Sequence, residues 1–129
     1  MDRKTVSTGA VWEDLVGYSR AVRIGDTIAV TGTTAIDAEG HPVGVGDAYA
    51  QAKRALEIIA DSLAQLDASL DDVIRTRIYV TDIQRDWEAI GRAHAEVLGH
   101  VRPATTMVEV SRLIADWMLV EIEADAVAR

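Results

Sequence analysis

Two glutamates near the end of the chain are the side chains whose spacing best suits acid–base chemistry. Glu121 and Glu123 stand two residues apart in the segment 118–127, whose alternating pattern predicts a strand. Side chains at i and i+2 share one face of a strand, so both carboxylates point the same way. They can form ion pairs with Arg75 and Arg77 of another predicted strand, or one can act as a general acid or base beside a ligand. The pattern alone leaves both interpretations open.

Other residue types that carry chemistry are absent or lack the necessary spacing. The chain has no cysteine, and His41, His94 and His100 form no i, i+4 pair, so we expect no metal site. Gly44 and Gly46 precede a predicted helix, but the third glycine and the lysine of a phosphate loop are missing. His94 lies on the apolar face of a predicted helix. This position favours a core or interface histidine with one hydrogen bond over a ligand-facing one.

Length and charge argue against several classes of function. The 129 residues fit a single domain spanning 1–129, and 13 basic against 21 acidic residues give a net charge of −8. Such a surface repels phosphate backbones and anionic lipid, which disfavours a nucleic-acid or membrane partner. No apolar stretch approaches the roughly 20 residues of a spanning helix. The N-terminus lacks the apolar region of a secretory signal, so we expect a cytoplasmic protein.

The elements that must position these residues follow from the hydrophobic pattern. Residues 1–16 are expected to form an irregular arm. Apolar residues recur with helical spacing from 48 to 66, and a second helix is predicted from 86 to 98. Strands are predicted at 18–24, 27–33, 73–82, 104–110 and 118–127. The order ββαβαββ predicts an α+β fold with two helices on one face of a sheet.

Alternation divides the predicted strands between a face covered by the helices and an uncovered face. Ile74 is assigned to the covered face, whereas Arg75, Arg77 and Tyr79 are assigned to the uncovered face. On the second helix, the residues assigned to the apolar side are Trp87, Ile90, His94, Val97 and Leu98. The uncovered face is either a solvated surface with cross-strand ion pairs or a subunit interface whose charges pair between chains. The pattern does not decide between the two.

Several segments, taken in order and spacing, resemble the Rid family (reactive intermediate deaminases, also called YjgF-like). They are Gly17-Tyr18-Ser19, Gly25-Asp26 followed by Ile28 to Gly32, Gln51-x-x-x-Ala55-Leu56, SLDDVIRTRIYVTDI from Ser69 to Ile83, Arg102-Pro103-Ala104 leading into MVEVSRL, and the final VEIEADA. The resemblance implies a chorismate-mutase-like fold with a mixed sheet, and a homotrimer with small-molecule sites in clefts between subunits. It also implies hydrolysis of reactive enamines and imines to a carbonyl compound and ammonia, without a cofactor or metal.

The resemblance also implies which residues line the cleft. Tyr18 matches a family tyrosine near the first strand, and Thr31 and Gly32 match a small hydroxyl residue followed by glycine. Glu121 matches the glutamate thought to position a water. His94 matches a position from which relatives present an aromatic or polar side chain. These five are therefore candidate site residues, with Glu121 as the catalytic one.

The main departure from the family pattern is at Thr105, where deaminases carry an arginine that holds the substrate carboxylate. A guanidinium grips a carboxylate through two charge-assisted hydrogen bonds, whereas threonine offers one hydroxyl and no charge. Thr105 and Thr106, through their amides and hydroxyls, are the candidate replacements, and Arg102 lies close in sequence. The departure implies a neutral or differently anchored substrate. The alternative is a non-catalytic ligand-binding or regulatory trimer.

Overall fold

The computed structural model describes all 129 residues and shows a six-stranded sheet with two long helices packed on one face. The strands are β1 (Arg3–Val6), β2 (Ala21–Ile24), β3 (Thr27–Thr33), β4 (Val73–Val80), β5 (Ala104–Glu109) and β6 (Val120–Val127). The helices are α1 (Val11–Val16), α2 (Ala48–Ala64) and α3 (Ile83–Leu98), and a single 3-10 turn spans Leu70–Asp72.

The sheet is mixed, with the strand order β1-β2-β3-β6-β4-β5. β4 and β5 run parallel, and every other neighbouring pair is antiparallel. A parallel pair needs a crossover connection, which α3 supplies. From β2 to β6 the element order is ββαβαββ, which confirms the predicted fold class. The bounds of β3 are those predicted, and the other predicted elements start or end within three residues of the observed ones.

The irregular arm predicted for residues 1–16 is wrong, because this segment contains β1 and α1. β1 pairs antiparallel with β2 and forms one edge of the sheet. Glu13 of α1 is buried, and its carboxylate accepts hydrogen bonds from the hydroxyls of Ser7 and Thr8 and from the Thr8 backbone N–H. A strand of four residues and a helix of six are too short to show a hydrophobic period.

The assignment of Ile74 to the covered face is also wrong. Its side chain is 54% exposed, whereas Val73 and Thr76 are buried. The register between β4 and β6 shifts between Val73 and Arg75, where β4 advances two residues and β6 advances one. This bulge leaves Ile74 without a partner, and the alternation of faces restarts after it.

The second helix begins earlier and with a different phase than predicted. Asp82 caps α3, since its carboxylate accepts the Arg85 backbone N–H at 3.1 Å. Trp87, which was assigned to the apolar side, is 52% exposed. Asp86 takes the buried place in that turn and pairs with Arg85 at 2.9 Å. The buried positions of the helix are Asp86, Ile90, Ala93 and Leu98.

The core lies between the sheet and the pair of long helices, and it is aliphatic. It comprises 22 buried residues without an aromatic ring, in keeping with a sequence that has no Phe. α2 and α3 are amphipathic, and none of the helices combines the length and apolar character needed to cross a bilayer.

Candidate functional site

A bulge in β3 brings Gly32 against Glu121 of β6. The β3–β6 register shifts between Val30 and Thr33, so that Thr31 and Gly32 occupy the bulge. The Glu121 carboxylate lies so close to Gly32 that a β-carbon on residue 32 would overlap it. Bulges often re-aim side chains beside functional sites. Here the missing side chain of the glycine makes room for the carboxylate.

The structure distinguishes the two glutamates that the sequence could not. Glu123 accepts a hydrogen bond from Tyr79 at 2.9 Å and pairs with Arg77 at 3.3 Å. Glu121 forms neither an ion pair nor a hydrogen bond within the chain. Burial raises the pKa of Glu121, and the neighbouring Glu123 raises it further, whereas Arg20 lowers it. Glu121 therefore has free lone pairs and holds a proton at a higher pH than an ordinary glutamate, as suits a general acid or base.

The turn after α1 places Tyr18 in the same cleft. α1 ends at Gly17, whose φ of +88° lies in the left-handed region that glycine favours. The N–H groups of Gly17 and Tyr18 both donate to the Glu13 carbonyl, at 2.9 and 3.0 Å. Burial raises the pKa of Tyr18, and the carboxylates of Glu13 and Glu121 add to the rise. The phenol thus stays protonated at neutral pH and can donate a hydrogen bond into the cleft.

Arg20 contributes a buried cation that sequence reasoning missed. The residue is only 6% exposed. Its Nη1 donates to the Thr33 hydroxyl at 2.7 Å, and that hydroxyl donates to the Thr31 carbonyl at 2.7 Å. The Arg20 backbone N–H donates to the Val6 carbonyl at 2.8 Å, beyond the end of the β1–β2 pairing. The Arg20 backbone is thus hydrogen-bonded to the N-terminal segment, and no motif in the sequence marks the residue.

These residues form one wall of a cleft of about 980 Å³. The lining also contains apolar side chains, among them Trp12, Ile36, Ile58, Trp117 and Met118, and further charged and polar ones. A mostly apolar cavity with a few convergent polar groups is the usual form of a small-molecule site. Four of the candidate residues lie together here, namely Tyr18, Thr31, Gly32 and Glu121.

A buried glutamine fixes the loop that carries Trp117. Gln51 of α2 is fully buried, and its Nε2 donates to the carbonyls of Gly44 and Trp117 at 3.1 and 3.0 Å. Its Oε1 accepts the Leu119 backbone N–H at 2.9 Å. One side chain thus satisfies three backbone groups and ties the start of β6 to α2.

Thr105 and His94 lie on the other face of the sheet. Thr105 of β5 is opposite Thr76 of β4, and their hydroxyl oxygens are 2.8 Å apart. The Thr76 hydroxyl is also 2.9 Å from Nε2 of His94. Burial lowers the pKa of His94, as befits a packed histidine with one hydrogen bond. Thr76 is on the helix-covered face and Glu121 on the uncovered face, so the sheet separates these hydroxyls from the Glu121 carboxylate.

Thr106 and Arg102 also lie outside the cleft. Thr106 is opposite Arg77 on β4, so its side chain follows that of Arg77 to the uncovered face. Arg102 is exposed in the turn after α3, where its φ is +57° and its backbone N–H donates to the Leu98 carbonyl at 2.8 Å. Arg102 therefore does not take the place of the missing arginine within one chain, and the candidate residues are divided between two regions.

The charges on the uncovered face are paired largely within the chain. Nη1 of Arg77 lies 3.1 Å from Asp125 and 3.3 Å from Glu123. Arg75 is exposed and forms no ion pair. Cross-strand pairing, one of the two alternatives for this face, thus occurs for Arg77. Such exposed pairs are screened by solvent and contribute little to the stability of a fold.

An acidic group at the rim of the cleft has the geometry of a turn. The ligand atoms of Asp37, Glu39 and His41 lie within 4.8 Å of one another. Oδ1 of Asp37 accepts the backbone N–H groups of Glu39 and His41, both at 2.9 Å. The bond from His41 is the largest of the effects that lower the pKa of Asp37. Aspartate commonly closes a turn in this way, and we assign the group that structural role.

The element order and the mixed sheet define a chorismate-mutase-like α+β protein. A family model described as Endoribonuclease L-PSP matches residues 10–128. The chain belongs to this family, which is also known as the YjgF, RutC or Rid family.

Three relatives illustrate the range of similarity. A crystal structure of a Mycobacterium tuberculosis member of the YjgF/YER057c/UK114 family is 51% identical, covers 98% of this chain and 100% of its own, and superposes with a TM-score of 0.90. An uncharacterized protein of Streptomyces coelicolor is 38% identical over 95% of this chain and 90% of its own length. The 3-aminoacrylate deaminase RutC of Acinetobacter baylyi is 34% identical over 87% of each chain.

Proposed function

We propose that the protein is a homotrimer in which the cleft of each chain is completed by the β5 edge of a neighbour. We further propose that this site hydrolyses an enamine or imine of a small organic molecule to a carbonyl compound and ammonia. The observation that carries the proposal is the unpaired carboxylate of Glu121, which lies against Gly32 in the cleft. Burial of this carboxylate raises the pKa of Glu121. The name of the Acinetobacter relative, a 3-aminoacrylate deaminase, supports the choice of reaction.

In the proposed reaction, Glu121 takes a proton from a water whose oxygen attacks the imine carbon. The electron pair of the C=N bond moves to nitrogen, which takes up a proton, and a carbinolamine results. A second proton transfer to nitrogen lets ammonia leave as the C=O bond forms, and the hydroxyl gives up its proton. The Tyr18 hydroxyl, protonated at neutral pH, is the donor in position to hydrogen-bond the substrate. An enamine enters the same route after protonation at carbon.

The division of the candidate residues supports the trimer. Thr105, Thr106 and His94 sit at or behind the β5 edge, away from Glu121 in the same chain. A second copy could supply them to the cleft. Val108 on this edge strand is 41% exposed in the single chain. Such residues would be covered in an assembly.

The charge of this chain argues against a ribonuclease function. The net charge is −8, and the cleft contains more carboxylates than arginines, which opposes binding of a phosphate backbone. We propose instead that the protein is cytoplasmic and that its substrate is a small molecule.

The test is ammonia release from imines generated in the assay from apolar amino acids by an added amino-acid oxidase. Glu121→Gln keeps the shape of the side chain but cannot take the proton, so we expect turnover to fall at least about 100-fold. Glu123→Gln on the same strand is the matched control and should retain turnover. Equal rates for Glu121→Gln and the wild type would overturn the role of Glu121.

The engagement of Thr105 favours a second candidate function, a non-catalytic ligand-binding trimer. The Thr105 hydroxyl is already bonded to Thr76, and no charged grip stands at this position. A rise in melting temperature with the same compounds, without ammonia release above the rate of the uncatalysed reaction, would favour this alternative.

A further inference from the structure

We infer that Arg20 is the anion-binding residue of the cleft, and that the cleft takes organic acids with a flat apolar body. The carboxylate, or an oxyanion that develops on the substrate, would lie against the guanidinium. This inference deepens the proposed function and rests on it, because it names the class of compound that the same cleft binds.

The first argument is that Arg20 is buried without a partner for its charge. It is 6% exposed, yet no carboxylate oxygen lies within 4.0 Å of its guanidinium. Its one side-chain hydrogen bond goes from Nη1 to the neutral hydroxyl of Thr33. The Nε–H is buried and has no acceptor. Arginine is almost never buried unpaired, because removing a cation from water is costly.

The second argument is that Arg20 is the cation of the cleft with capacity to spare. Arg54 also lines the cleft, but its Nε donates to the Ile36 carbonyl at 2.7 Å and its Nη1 pairs with Glu57 at 3.3 Å. The nearest acidic neighbours of Arg20 act on it through space without an ion pair. A ligand carboxylate is therefore the partner that the guanidinium lacks, and the fork of N–H groups suits it.

The third argument concerns the rest of the ligand. The lining of the cleft includes Trp12 and Trp117, together with aliphatic side chains. Flat aromatic walls favour flat apolar groups. A cleft of about 980 Å³ has room for a ring as well as an acid group.

The position of Arg20 also explains why position 105 can be a threonine rather than an arginine. An arginine on β5 is not needed to bind a carboxylate if Arg20, just before β2, supplies the cation instead. The acid group of the ligand would then approach the cleft from the side of Thr31 and Thr33.

Isothermal titration calorimetry on the full chain tests the inference with two probes of equal shape, 3-phenylpropionate and 3-phenylpropionamide. We expect the wild type to bind the carboxylate at least about tenfold more tightly than the amide. Arg20→Gln, which can still bond to Thr33, should lose this preference. Arg20→Lys should keep part of the preference for the carboxylate, because the positive charge remains. It should lose the rest, because lysine lacks the planar pair of N–H groups of a guanidinium. Arg75→Gln, an exposed and unpaired arginine outside the cleft, should keep all of it.

Equal affinity of the wild type for the two probes would overturn the inference, and this measurement needs no variant. An Arg20→Gln protein that is folded by circular dichroism and still prefers the carboxylate would also overturn it. Binding is read without turnover, so a carboxylate preference that depends on Arg20 stands even if no ammonia is released. In that case the hydrolytic function fails and the anion site does not.

Discussion

The Glu121 carboxylate fills the space that a side chain on Gly32 would need. Gly32→Ala should therefore push the carboxylate out of place and lower turnover by about 100-fold, the usual effect of a misplacement of about 1 Å. Steady-state kinetics and circular dichroism check the result. Gly91→Ala is the control, because a β-carbon there meets nothing within 4 Å. A Gly32→Ala protein with wild-type rates would mean that the carboxylate does not act from its observed position.

The raised pKa of Glu121 predicts a pH-dependent stability. The folded state binds this proton more tightly than the unfolded state, so stability falls as pH rises from the ordinary value of 4.5 through the folded pKa. Glu121→Gln should therefore melt at a higher temperature than the wild type at pH 7, and the difference should vanish below pH 4.5. Arg20→Gln removes a cation that lowers the pKa of Glu121. In this variant the fall in stability should therefore extend to a higher pH. A difference in melting temperature that does not change with pH would contradict the assignment.

The lowered pKa of His94 predicts the opposite trend at a different pH. The unfolded state takes up the proton first, so the wild type should lose stability as pH falls below the ordinary value of 6.5. His94→Gln can still bond to Thr76 and should lack this loss. Melting curves from pH 5 to 8 measure the difference. If both proteins respond to acid in the same way, His94 is not the buried group that resists protonation.

Gln51→Met should destabilise the fold by about 3 kcal/mol, because it leaves three backbone groups without their partner. Urea denaturation measures the change. The exposed Gln84→Met on α3 is the matched control and should shift stability by less than about 0.5 kcal/mol. Since Gln51 also holds the Trp117 loop, ligand affinity should fall with it. Equal stability of the two variants would show that the three bonds are replaced by other contacts or water.

The proposed trimer predicts a mass of three times 14.0 kDa by light scattering. Val108→Glu places a charge on an exposed residue of β5 and should dissociate the trimer. Val45→Glu, on a residue that is 68% exposed and lies before α2, should not. A wild-type mass of one chain would contradict the trimer outright. A Val108→Glu protein that remains trimeric would show that β5 does not lie in the interface.

The central part of the fold could be predicted because its elements are long and regular. α2 buries residues at helical spacing over 17 residues, and β3 alternates cleanly up to its bulge. The two bulges could not be predicted, since an inserted residue such as Ile74 fits either face locally and only the partner strand decides. β1 and α1 were missed because short elements are stabilised by tertiary contacts, such as those of Glu13, rather than by their own pattern.

The part of the candidate site that could be predicted is the part whose residues match motifs of the family. Tyr18, Thr31, Gly32 and Glu121 lie in one cleft, although 103 positions separate the first from the last. Arg20 forms a backbone hydrogen bond to β1 and a side-chain bond to the Thr33 hydroxyl, and neither contact can be read from the sequence. Thr105 lies on the far face because β5 pairs in parallel with β4 and places it opposite the buried Thr76.

The position of β6 within the sheet has a consequence for how the protein is made. β6 is the last strand in the chain, yet it lies between β3 and β4 and pairs with both. Until residues 120–127 leave the ribosome, β3 and β4 each expose an unpaired edge, and Glu121 cannot meet Gly32. Such late, long-range closure slows folding and exposes edges that can aggregate. The two edges of a nascent chain are therefore most prone to aggregate between the synthesis of β4 and that of β6.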